Sequence, residues 1–185
     1  MSSQDKYTPS DQNNVLYRKS ALRARKVAFG AMFAALALIF SYVEFLIPIP
    51  VPIPGIKLGL ANLVIIIAIY RLGFKYAFII NILRVFLSGL LFSGAFGIIY
   101  SLAGGILSIL VMYGLYKTNL FSIVGISMAG GVFHNLGQLI TACIMVSNMG
   151  LMSYFSVLFI SGMISGILIG IAGYFIESRL PADLK

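Results

Sequence analysis

The chain reads as an all-α, polytopic membrane protein: a bundle of six transmembrane helices with both termini in the cytoplasm. Three observations lead there. Of its 185 residues 60% are hydrophobic and 10% charged, whereas a soluble domain carries about 25% charged residues. The apolar runs are continuous and near the roughly 20 residues that a helix needs to cross hydrocarbon. They lack the alternation that a transmembrane barrel requires. The cations, finally, cluster on one side of the membrane in the topology the runs imply.

Residues 1–26 form a polar, then basic, cytoplasmic segment that is expected to be partly disordered. Lys6, Arg18, Lys19, Arg23, Arg25 and Lys26 lie there, ahead of the first apolar run. Such a stretch also suits an anionic lipid surface. No signal peptide is expected, because the first run is long, follows a polar head and lacks a cleavage site. Spans are expected at about 27–47, 56–70, 76–92, 97–116, 121–146 and 151–176, with 177–185 as a cytoplasmic tail. This places eleven of thirteen basic residues inside, Lys57 outside and Arg84 within the membrane. The distribution orients the chain and makes the plasma membrane its expected location.

Two features of the apolar region stand out. Pro48, Pro50, Pro52 and Pro54 alternate through the first outer loop, and prolines so spaced favour a stiff, extended strap over helix. Small residues also line helix faces. Ala28, Ala31 and Ala35 share one side of the first span, and Gly30, Ala34 and Ala37 share another. Gly162, Gly166, Gly170 and Gly173 form a ridge on the sixth. Ridges of this kind let backbones approach closely in lipid. With two such sides, the first span can pack inward with one and meet a second protein with the other.

Few polar groups interrupt the spans, so each is informative. Arg84 lies mid-membrane, where a guanidinium is costly and marks a functional site with a partner. Asn81, Arg84 and Ser88 make one stripe on the third helix. Ser127, Gly130, Gly131, His134, Gln138 and Thr141 make another on the fifth, with Asn135 beside it. Asn62 comes from the second span, Glu44 from the outer end of the first, and Lys57 flanks the proline strap. One reading is a buried structural network in which Arg84 pairs with Glu44. The stronger one is a binding chamber, because cations outnumber the anion and amides with a histidine suit a heteroatom-rich ligand. An anionic group such as a phosphate would meet Arg84 and Lys57.

Enzyme chemistry is hard to build from these residues, and none is expected. There is no Walker A pattern to power transport within the chain. Asp5, Asp11 and Asp183 lie in the polar ends, so the clustered carboxylates of magnesium-assisted diphosphate chemistry are missing. One cysteine, Cys143, rules out an internal disulfide or a cysteine zinc cluster. No metal site and no resident cofactor are expected, and the basic balance follows the membrane rather than nucleic acid.

Four stretches carry a family resemblance: Ala31-Met32-Phe33-Ala34-Ala35, Ile53-Pro54-Gly55-Ile56-Lys57-Leu58-Gly59-Leu60-Ala61-Asn62, Asn81-Ile82-Leu83-Arg84, and Gly130-Gly131-Val132-Phe133-His134-Asn135-Leu136-Gly137-Gln138. Through them residues 26–176 resemble the substrate-binding S components of energy-coupling factor (ECF) transporters. More narrowly they resemble the Gx transporter family, also labelled heptaprenyl diphosphate synthase component I. The resemblance implies a six-helix subunit that binds a cofactor-like molecule, a flavin or an isoprenoid or quinone precursor, beneath its first outer loop. It implies a membrane coupling subunit against Ala31 and Ala35, and two cytoplasmic ATPases that use the ATP. Two other roles fit the same residues. One is a membrane accessory of prenyl diphosphate synthesis; the other is a stand-alone carrier coupled to protons through Glu44 and His134.

Overall fold

The computed structural model of the protein describes residues 9–47 and 58–180. The proline strap and Lys57 lie outside the described residues. Six α-helices follow one another: α1 (Pro9–Leu46), α2 (Leu60–Arg71), α3 (Phe74–Ser88), α4 (Gly94–Thr118), α5 (Ile123–Val146) and α6 (Phe155–Arg179). No strand occurs among the described residues. Four helical runs among them, 13–46, 74–118, 123–146 and 149–179, are long and apolar enough to cross a membrane.

The second of those runs is folded in two. A π turn over residues 89–93 ends at Gly94, whose φ of 72° is a conformation that side chains avoid, and the chain reverses there. Three contacts record the reversal: Gly89 lies against Ile98, Asn81 against Gly105, and the Phe74 and Tyr113 rings stand 4.6 Å apart. Thus α3 and α4 are an antiparallel pair.

The same reasoning orders the rest. Gly30 packs on Tyr76, while Tyr42 and Phe45 pack on Phe92, so α1 and α3 run parallel. Ser108 donates to the Gly130 carbonyl at 2.9 Å and Gly104 sits under Gln138, which makes α4 and α5 antiparallel. Gly131 meets Gly162, Gly166 meets Met128 and Gly170 meets Val124, so α5 and α6 are antiparallel and in backbone contact. The glycine ridge on α6 therefore packs against α5. The ends of α1, α3 and α5 consequently share one end of the bundle with the starts of α2, α4 and α6.

Helix α2 is the core. Every residue from Leu63 to Ile69 is buried, as an all-round apolar helix must be, and α2 touches all five others. It is shorter than the expected 56–70 span: its 12 residues reach about 18 Å against roughly 30 Å of hydrocarbon. Gly59, with φ 79°, starts it late. The neighbouring helices enclose it, so its ends need not meet lipid. Around it, large apolar side chains such as Leu90, Phe96, Ile160 and Leu168 face outward, the surface a bilayer would cover.

Two expectations about the ends change. Helix α1 begins at Pro9 instead of near residue 27. The Leu, Arg, Lys and Ala of residues 16–26 are strong helix formers, and the span that follows extends them without a new nucleus. Arg71, read from sequence as an inner-loop cation, is 5% exposed. It forms an ion pair with Glu177 at 3.1 Å and donates to the Glu177 and Leu180 carbonyls. Here one guanidinium caps the last turn of α6. Arg71→Met should lower stability by about 2–4 kcal/mol, since it strands Glu177 and uncaps those carbonyls. A thermal melt in detergent, with Lys75→Met as the surface control, checks this.

Candidate functional site

A cavity opens near the end of the bundle where α1 stops and α2 starts. It holds about 410 Å³ of empty space, its mouth included, and is lined by Glu44, Gly59, Ala61, Asn62, Arg84, Ser101, Gly131, His134, Asn135 and Ser165. All six helices or their caps contribute, so the site exists only in the assembled bundle.

Arg84 comes from α3, 7% exposed. Its Nη2 donates to Asn81 Oδ1, one turn earlier, at 2.8 Å, while its Nε has no partner. Asn81 is buried beside Gly105, where a Cβ would stand 2.7 Å from the Asn81 amide nitrogen. The glycine makes room for the amide that steadies the guanidinium, so Asn81 is a positioning residue behind the wall. One face of Arg84 remains for whatever enters the cavity.

Glu44 does not pair directly with Arg84. Among the described residues the direct ion pair is Arg71–Glu177. Glu44 Oε1 instead accepts from the backbone N–H of Leu60 at 2.8 Å. Gly59 has no side chain to cap α2, so a carboxylate from α1 occupies the positive end of that helix. The weaker of the two sequence readings, a structural network with Arg84 paired to Glu44, gives way to two separate anchors on one cavity wall. Electrostatically, the cavity presents a cation held by a neutral amide and an anion held by backbone.

The other expected residues divide. His134 and Asn62 line the cavity. Asn135 does too, but its Nδ2 donates to the Leu158 carbonyl at 2.8 Å and so ties α5 to α6. Asn81 and Gln138 lie behind the lining, and Lys57 is outside the described residues. The α5 stripe also splits between neighbours: Gly130 faces Met112 of α4, while Ser127 faces Gly166 and Gly170 of α6. Ser165 was missed, although a serine inside the Gly162–Gly173 ridge was a readable signal. Gly131 of the α5 stripe, Gly59 and Ala61 of the second resembling stretch, and Ser101 of α4 also line the wall. No cluster of potential metal ligands occurs among the described residues. On α1, Ala31 and Ala35 are exposed, while Gly30 and Ala37 are buried.

Residues 33–176 match the profile of a protein family described as heptaprenyl diphosphate synthase component I. The chain belongs to that family. No curated protein and no solved structure matches it. The matched region of this component I family member runs from α1 through α6 and contains every described cavity residue. The family description names a component of heptaprenyl diphosphate synthase. Among the described residues the cavity has no clustered carboxylates, Glu44 being the one acidic residue of its wall.

Proposed function

We propose that the protein is the substrate-capture subunit of an ECF-type transporter, itself without enzymatic activity. Its six helices would all cross the plasma membrane, with α2 sheltered at the centre and both termini cytoplasmic. An anionic, cofactor-like molecule, a flavin or an isoprenoid or quinone precursor, would enter from the outer side. Arg84 would meet the anionic part, while His134, Asn62 and the free end of Asn135 would hydrogen-bond the remainder. A membrane coupling subunit would dock on the exposed Ala31 and Ala35 side of α1, and two cytoplasmic ATPases would drive release.

The observation that carries this reading is Arg84: a buried guanidinium in an apolar helix, steadied by Asn81, with an open cavity before it. Arg84 differs from the structural Arg71 in facing a cavity where Arg71 faces the Glu177 carboxylate. The family description favours a second reading, a membrane accessory that holds a soluble prenyl diphosphate synthase at the bilayer. Purification from native membranes, with mass spectrometry of retained proteins and small molecules, separates the two. Capture predicts a coupling subunit, ATPases and a small anionic ligand. Recovery of a synthase subunit and no small molecule would replace the first reading with the second.

A further inference from the structure

Gln138 is the buried polar group that neither packing nor the Arg84 site accounts for. It is 1% exposed, and neither its Nε2 nor its Oε1 has a hydrogen-bond partner. A neutral amide orphaned at both ends is costly in an apolar interior, and more so in a bundle with no water around it. Its neighbours on α5, Leu139 and Cys143, fill their sites with apolar atoms, so space alone does not demand an amide here. The placement is informative. A Cβ at Gly104 would stand 2.8 Å from Gln138 Cγ and 3.3 Å from His134 Cε1. The two side chains thus lie side by side over one glycine of α4. His134 forms the cavity wall, flanked by Gly131 and Asn135 on α5 and Ser101 on α4. Gln138 is therefore one side chain behind the wall.

We propose that Gln138 is a specificity-determining residue of this cavity, and that its amide pairs with a lactam or imide edge of the ligand. The inference rests on the capture reading above. A carboxamide presents a donor and an acceptor side by side. Its full complement is an acceptor next to a donor at the same spacing, the edge of a ring in which N–H adjoins C=O. Bidentate amide pairing of this kind is how glutamine and asparagine read a heterocycle edge elsewhere. Phosphates and carboxylates offer acceptors alone, and a prenyl chain offers neither, so either would leave half of Gln138 unsatisfied. With Arg84 as the cation, the ligand class is a lactam- or imide-bearing heterocycle with an anionic substituent. To reach it, the amide would have to turn about its outer torsions past the imidazole edge.

The test uses the full-length chain in lipid nanodiscs and three probes. Flavin mononucleotide carries an imide edge and a phosphate, its N3-methyl derivative has the imide N–H blocked, and geranyl diphosphate is anionic without an amide edge. Flavin mononucleotide should bind at least about 10-fold more tightly than the N3-methyl derivative. Gln138→Met should weaken flavin mononucleotide roughly 10- to 100-fold and abolish that discrimination, while leaving geranyl diphosphate unchanged. The same variant should raise the melting temperature of the empty protein, because the orphaned amide is gone. A higher melting temperature with unaltered binding would mean that the amide serves only buried water, and would overturn the proposal. Equal binding of the two flavins would overturn it as well. Arg84-dependent binding of geranyl diphosphate alone would leave capture standing and remove the role of Gln138. Binding of no probe would remove both.

Discussion

Arg84→Met should abolish anion binding and make the empty protein more stable. The two effects have one cause. A guanidinium buried without an ion pair, held by a single hydrogen bond that it donates to the neutral amide of Asn81, destabilises the fold. Methionine fills similar volume without the charge. Binding should fall about 100-fold or more, since the lost contact is charge-assisted and desolvated. Arg84→Lys should restore part of it: the charge returns, but the planar fork does not. Titration of the variants in nanodiscs with geranyl diphosphate and flavin mononucleotide, beside thermal melts of the same samples, provides both readouts. Loss of stability in Arg84→Met, with binding intact, would mark Arg84 as a structural residue.

The second large effect is expected at the α5–α6 seam. At Gly166 a Cβ would stand 2.6 Å from the Met128 Cα and 2.7 Å from the Ser127 carbonyl oxygen. Both obstacles are backbone, so no rotamer change relieves them and the helices must separate. Gly166→Leu should cost at least about 3 kcal/mol and largely prevent recovery of folded protein. Gly114 is the control, with nothing within 4 Å of its Cβ position. Gly114→Ala should be neutral or slightly stabilising, as alanine is the better helix former. Size-exclusion profiles of the two variants, expressed in parallel, decide the point. A monodisperse Gly166→Leu would mean that the seam is looser than its glycines imply.

These contrasts show what the sequence could disclose. The helices were legible because few polar groups interrupt the apolar runs, most of which end near a charge, a proline or a glycine. Arg84, His134, Asn135, Asn62 and Glu44 were legible as wall residues for a related reason: a polar side chain in an apolar helix has few places to go. What escaped depends on helix rotation and on backbone groups. Whether Asn81 and Gln138 stand in the wall or behind it turns on tens of degrees about an axis, which composition does not encode. A pairing of Glu44 with Arg84 was one reading because both are side chains; the partner found, the Leu60 N–H, leaves no mark in the sequence. Arg71 looked like a loop cation because its role depends on α2 ending beside the last turn of α6. The length of α1 was hidden by its polarity, since basic residues can be helical without any apolar stripe.

That length has a mechanical consequence. At 38 residues, α1 measures about 57 Å, nearly twice the thickness of hydrocarbon. It has no proline within it to act as a hinge. It therefore behaves as a pointer fixed to the bundle: a rotation of ten degrees about the bilayer midplane would swing its N-terminal tip by roughly 7 Å. A spin label on Ser20 would register such reorientation of the whole domain long before any change inside the cavity became measurable.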